Sequence, residues 1–598
     1  MCKQLLGLIL LLIFAVGAEG QPKAITDSSA TTASKAEARD QVLALLGEAA
    51  REMRELRPSD YRIRWQTQMA GLLWRHDEKQ ARVLFDNAAA DWRALFDKLP
   101  ETVDEEAGNG PDYSSHLQLR QELVRAWAQF DGVAALRFVR ATRPLLEQYL
   151  TDDNILEQEN SLLTEIATQI AAKDPKEALK LARESLDKGI QGQQINLLQK
   201  LKELHRPSAN EFAQQLYEKL KQADVLKNNT TSQVAFGFLQ YAHEALGSEG
   251  APLNERELRS YIAQLIKAAL SVSPGKFTPN GYSQEFYNAN NICNFFSNWG
   301  ELEKYAPGRG AELKARAEAW QRAFTGNNPW QNYYEVIQNK TTPEALEKLA
   351  AAPPEMRDNL YTQLAHKLAG EGNYEQARQI VNDNLKNAGS RDNTLRGLEQ
   401  LQLNQSISKG DIAAARAGLT RLRSRQERFQ ALLQIAEQLK STDKKADARV
   451  FLDEARQLLP SRPANQSQLY LYFALAQAYA SDDNKKSFEL LESLLDQFNE
   501  LCVAAERVDG FLGQTYDNGE FQPNGSLGEF AQQISFTLAA LVSKDMARAR
   551  KCLARLQRPE VRITASLAIA ENLLAANEDG KQVSSVPNLV DGIRRARE

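Results

Sequence analysis

Cysteine is scarce, with four in 598 residues at positions 2, 293, 502 and 552. Residues so far apart make neither a disulfide framework nor a Cys-x-x-Cys motif. Cys502 and Cys552 are the one pair that an oxidising compartment could join; otherwise the later three read as small buried apolar residues. The five histidines, His76, His116, His205, His243 and His366, are scattered and show no metal-ligand spacing. No phosphate-binding Gly loop or Gly-x-Ser-x-Gly elbow occurs, so neither cofactor nor metal is expected. Excess charge is also missing. Lys plus Arg is 73 against 78 Asp plus Glu, a net −5, too mild to imply nucleic acid or an anionic membrane as partner. Sustained β-branched alternation is absent, which argues against strands. Ala, Leu, Gln, Glu, Lys and Arg, all helix formers, dominate instead.

One long apolar run occurs, Leu5 to Ala18 in "MCKQLLGLILLLIFAVGAEG". It is shorter than the ~20 residues of a membrane span and ends in small residues, as a secretory signal does. Cleavage after Val16-Gly17-Ala18 is expected, giving an exported, periplasmic or secreted protein with no stable membrane insertion; an uncleaved anchor is the alternative. The polar residues 19–36 read as a flexible linker.

A short frame recurs through the rest. "LWRHDEKQA" from Leu73, "WAQFDGVAA" from Trp127 and "IAAKDPKEA" from Ile170 each set an apolar residue, then Asp four places on, then Ala four further. "ISKGDIAAA" from Ile407, "YASDDNKKS" from Tyr479 and "LVSKDMARA" from Leu541 repeat it, with Ser for Ala once. Asp is a preferred N-cap, and a small residue one turn inside lets two helices approach closely. The frame therefore reads as helix, tight turn, helix. Further starts are expected at "SANE" from Ser208, "TTPE" from Thr341 and "SRQE" from Ser424.

Two copies carry one more turn residue, "LAGEGNYEQA" from Leu368 and "LKSTDKKADA" from Leu439. Around residues 360–386 and 429–462 the chain resembles a tetratricopeptide repeat. Ala365, Leu368, Gly372, Tyr374, Ala377 and Val381 match in the first unit; Ala436, Leu439, Ala448, Leu452, Ala455 and Pro460 match in the second. The resemblance implies stacked antiparallel helix pairs. The turn positions 77, 131, 174, 372, 411, 443, 483 and 545 depart from a strict period, with one gap of 198 residues. The expected fold is an all-α, irregular superhelical solenoid. Its parts would be residues 37–272, a junction at 273–335, residues 336–577, and a tail at 578–598.

The junction is unusual. From Phe277 to Tyr334 there are 13 aromatic residues among 58, against 46 in the whole chain. Ile292, Phe295, Phe296 and Trp299 fall on one helical stripe, with Asn291, Asn294 and Asn298 on the next. Such rings form either the core of an irregular junction or a recognition surface, in which side-chain amides donate and accept together. On the second reading the partner-binding residues are Tyr282, Phe286, Tyr287, Asn291, Asn294, Asn298 and Trp299. The later "DNGEFQPNGSLGEF", Asp517 to Phe530, reads as a long loop.

The favoured function is an exported, non-catalytic scaffold holding a protein or peptide partner, or else a glycan, on its concave face. Its rival is an exported α/α-toroid-like enzyme acting on polysaccharide or peptidoglycan, which ring closure would favour and an open superhelix oppose. Superhelical peptidoglycan lyases are similar in size and export, but place a lysozyme-like domain after the solenoid. Here helix-pair grammar runs to about Asn577, so no such domain is expected within this chain. No catalytic pair of carboxylates can be picked out from the sequence.

Overall fold

The computed structural model describes residues 32–98, 113–146, 153–273, 283–326, 329–422, 424–480, 482–511 and 526–577. Among them no strand occurs. The helices begin with α1 (Thr32–Glu55), α2 (Asp60–Leu73), α3 (Glu78–Phe96), α4 (Tyr113–Leu146), α5 (Asp153–Ile170), α6 (Pro175–Lys188), α7 (Gln193–Leu204) and α8 (Arg206–Gln222). Next come α9 (Asn229–Ala245), α10 (Glu255–Ser271), α11 (Gln284–Asn298), the single turn α12 (Leu302–Tyr305), α13 (Arg309–Gly326), α14 (Pro329–Asn339), α15 (Thr342–Ala350), α16 (Pro354–Gly370) and α17 (Tyr374–Asn384). The last are α18 (Ala388–Ser408), α19 (Ile412–Leu419), α20 (Arg425–Ser441), α21 (Lys445–Gln457), α22 (Gln466–Ala480), α23 (Asn484–Phe511), α24 (Ser526–Val542), α25 (Met546–Arg555) and α26 (Pro559–Asn577). Helix α1 starts inside the stretch expected as a linker.

These helices stack as hairpins, and the recurring Asp turns each hairpin. The carboxylates of Asp77, Asp174, Asp411 and Asp545 accept from backbone N–H groups of the helix they start. Asp483 caps α23 through the Lys486 N–H. Asp131 sits at a non-helical kink that divides α4 into two helices, where it accepts from the Ala134 N–H. The small residue four places on is fully buried in all six: Ala81, Ala135, Ala178, Ala415, Ser487 and Ala549. In the two longer copies the matching residue ends the preceding helix instead. Gly372 and Asp443 take left-handed φ values of 90° and 58°, and the next N–H reaches back to Leu368 O and Leu439 O.

The interval without the Asp frame holds the same turn with other caps. Asn254 and Thr341 open capping boxes with Glu257 and Glu344, and outside that interval Ser424 does so with Glu427 at the return turn into α20. At α8 the cap is not Ser208 but His205, whose ring accepts from the Ser208 N–H. The return turn has its own signature. Arg391, Arg428 and Arg562 donate to the carbonyls of Leu385, Leu422 and Leu556, six residues earlier, and Arg62 does so to Leu56. Each Arg thereby covers a carbonyl that the preceding helix leaves without a partner.

Hairpins define two rows. The first row holds α2, the first half of α4, then α5, α7, α9, α11, α14, α16, α18, α20, α22, α24 and α26; their hairpin partners form the second. By the Leu–Arg signature α1 is a second-row helix, yet it packs chiefly on α26 rather than on α2, its neighbour in sequence. Val42, Leu45, Leu46, Ala49 and Met53 of α1 are buried in one core with Val561, Ile563, Ile569 and Ala570 of α26. Helix α26 also touches α2, so the solenoid closes end to end. The reason is local: α1, with no described helix before it, and α26, with none described after it, each leave an apolar face, and each covers the other. An open superhelix would leave both exposed.

Along the first row neighbours touch almost throughout, whereas many second-row helices do not. At Gly237 of α9 an added Cβ would lie 2.8 Å from Ile195 of α7, a measure of how closely first-row helices pass. The tighter row is the inner one. No substantial contact joins helices on opposite sides of the ring among the described residues. About a dozen inner helices at ~9 Å spacing, each ~10 Å thick, leave a bore on the order of 25 Å.

Candidate functional site

The outer row is a charged rim. Ion pairs pass from helix to helix: Arg140 to Glu184 at 3.8 Å, Arg416 to Glu454 at 2.8 Å, Lys486 to Asp453 at 2.6 Å and Arg548 to Glu492 at 2.6 Å. Arg550 to Glu48, 2.6 Å, carries the series across the closure. Arg555 likewise pairs with Asp496 at 2.9 Å. Arg548 and Arg555, on one face of α25, are thus rim charges already engaged.

The inner row differs. Helix α11 starts at Ser283, whose hydroxyl accepts from the Phe286 N–H, and buries Phe286, Ala289, Ile292, Cys293 and Phe296. Its opposite stripe, Gln284, Tyr287, Asn291, Asn294 and Asn298, is exposed. Tyr287 is 40% exposed. Asn298 donates to the Asn294 carbonyl at 2.8 Å, and Gln284 to the Asn288 side chain at 3.2 Å. The side chains of Asn291 and Asn294 have no partner among the described residues. Asn is a poor mid-helix residue, ~0.6 kcal/mol worse than Ala, and neither of these two acts as a cap.

Beneath this stripe lies an aromatic ladder. Phe236 meets Phe295 at 4.8 Å, and Trp299 stacks on Tyr305 at 5.5 Å with His243 edge-on at 5.3 Å. Trp299 is half-buried. Phe286 requires a correction. It is 1% exposed and packs on Trp320 at 5.0 Å, which makes it a core ring with no face for a partner. Asn288, also fully buried, is structural, its amide donating to Leu226 O at 2.8 Å. Tyr282 lies outside the described residues, as does most of the Asp517–Phe530 loop.

Charges on the inner stripe are largely paired between neighbours: Arg64 with Glu122 at 2.8 Å and Arg125 with Glu165 at 2.6 Å. Glu571 of α26 is different, receiving only a long 3.4 Å hydrogen bond from Gln68 of α2; burial pushes its carboxyl above the ordinary range. The most buried ion pair, Arg120 with Glu159, is also tied to Thr142 and the Val139 carbonyl, and works as a strut. Among the described residues no group of His, Cys, Asp and Glu is placed to hold a metal ion, and no helix is long and apolar enough to cross a membrane.

No family model and no curated relative matches the chain. Among solved structures, a circular tandem repeat protein with novel repeat topology is similar at 15% identity, covering 94% of this chain and 100% of its own, with a TM-score of 0.18. A structure of Naa15/Naa10 bound to HypK-THB is similar at 13% identity, covering 88% and 96%, also at 0.18. Likenesses this loose carry no argument here. The all-α helical-repeat assignment stands on the helices, caps and packing already described.

Proposed function

We propose that the protein is an exported, non-catalytic helical-repeat scaffold that holds a protein or peptide partner against its inner face, with a glycan as the competing ligand. The observation that carries this reading is the α11 stripe. Asn291 and Asn294 are exposed, free of partners and unfavourable to their own helix, so folding supplies no reason for them. Amides that both donate and accept suit a hydrogen-bonding ligand. In-cell crosslinking should recover a partner with the parent protein. An Asn291→Ala/Asn294→Ala variant should melt with the parent and lose that partner. An unchanged partner yield would overturn the reading. Export is tested by intact mass from the native host, with a mature chain beginning near Glu19 as the expected result.

Ring closure favours a second reading, an α/α-toroid-like enzyme acting on polysaccharide or peptidoglycan. Glu571 is the acid this reading would use, because burial at the α26–α2 contact shifts its carboxyl toward the protonated form that a proton donor needs. Release of reducing ends from peptidoglycan, abolished by Glu571→Gln, would establish it; no release by the parent protein would remove it.

A further inference from the structure

Asn and Gln are unequally divided between the two rows. Every first-row helix contains at least one, whereas the second-row helices α6, α15, α19 and α25 contain none. The exposed stripes of distant inner helices repeat what α11 shows. Gln233 and Gln240 on α9 and Asn359 and Gln363 on α16 are exposed, Gln240 also reaching Glu244, and Gln430 and Gln434 on α20 are half-buried. None makes a rim contact, because the rim is built from the other row. The amides therefore follow the inner wall around the ring, and α11 is its densest part.

We propose that this wall is a circumferential amide band that holds an extended polypeptide by its backbone. The proposal rests on the inner face being the binding surface and adds the ligand class and the extent of the site. A primary amide carries a donor and an acceptor side by side, as a peptide group does, so each can bond an extended backbone whatever its side chains. Paired charges such as Arg64–Glu122 and Arg125–Glu165 leave that stretch of the wall near neutral, so attraction by net charge is not the basis of selection. A sugar chain would call for ring platforms. Of the rings on α11 only Tyr287 is exposed, a single platform, and Trp299 is half-buried in its ladder. A bore on the order of 25 Å accepts one extended chain, about 10 Å wide, with room for water-bridged contacts.

The probe is a fluorescein-labelled, uncharged, unstructured polypeptide of Gly, Ser, Thr and Ala, followed by anisotropy with the full protein, with labelled chitohexaose as the sugar arm. Two variants are compared, Asn291→Ala/Asn294→Ala/Asn298→Ala on α11 and Gln426→Ala/Gln430→Ala/Gln434→Ala on α20. Each should weaken polypeptide binding at least tenfold, while the rim variant Lys180→Ala leaves it unchanged. Single substitutions Asn294→Ala and Gln430→Ala serve if a triple variant melts early. Loss confined to α11 would overturn the band and leave the scaffold reading intact. No binding of the polypeptide, or binding that neither variant alters, would overturn the polypeptide assignment. Chitohexaose binding lost with the α11 variant would replace it with a glycan.

Discussion

The guanidinium of Arg562 lies 3.0 Å from the carboxylate of Glu52, a pairing between residues 510 apart in the chain. It fastens the last hairpin, whose two helices come from opposite ends of the described chain, and Arg550–Glu48 ties α1 to α25 beside it. Leu45→Ala, fully buried at this seam, should cost ~2–5 kcal/mol, whereas the partly exposed Arg550→Ala, which loses its pair with Glu48, should cost ~0.2–1 kcal/mol and depend on salt. Thermal melts give both values. Hydrogen exchange should show that the Leu45 variant loses protection in α26 as well as α1. Loss confined to α1 would contradict the closure.

Asp131 gives the joint between α3 and α4 a dependence on pH. Burial raises its pKa, but the Ala134 N–H and the Arg82 guanidinium outweigh that and hold the carboxyl below its ordinary value. Its stabilisation is therefore fully present above the ordinary aspartate range and is lost as pH falls through the lowered value. Melting temperatures measured from about pH 5 down to 2 should fall more steeply for the parent than for Asp131→Asn. Parallel curves would mean that Asp131 does not sense acid.

Asp443 occupies a left-handed conformation that Gly372 fills in the sister turn. Asp443→Gly should raise stability by ~1 kcal/mol, and Gly372→Ala should lower it by a similar amount. Denaturant midpoints decide. A destabilised Asp443→Gly would show that the carboxylate makes some contribution larger than the backbone strain.

Cys293, Cys502 and Cys552 are buried free thiols, and burial pushes them up to about 11, 12 and 11 respectively. Native protein should leave all three unreactive toward a thiol reagent at neutral pH, and denaturant should release them. A disulfide between Cys502 and Cys552 in protein from the native host would refute this.

The hairpins were legible because capping is a contact between near neighbours in sequence. Asp174, Asp411 and Asp545 needed no tertiary information to be read as caps. His205 was missed because a ring nitrogen is an unusual cap, and Ser208 three residues on offered the commoner chemistry. The Leu–Arg return turn spans six residues with no fixed residue between, yet Leu385…Arg391 and Leu422…Arg428 would have shown it to a search at that spacing. Closure was invisible, because no local rule links Glu52 to Arg562. The role of Phe286 could not be read either: both faces of α11 carry rings, and only Trp320, packed from another helix, fixes which face is core. The division of amides between alternate helices was present in the sequence, but has meaning only once the inner row is known.

Synthesis proceeds from one end, and the split hairpin makes that matter. Helix α1 emerges first with Leu45, Leu46 and Met53 uncovered, while its seat on α26 is made about 500 residues later. At ~5–20 residues per second this interval lasts roughly half a minute or more. For that time the newborn chain carries an unsatisfied amphipathic helix at its head. A holdase that covered it would protect every later hairpin from premature association, and the ring would close only when the final helix displaced that guardian.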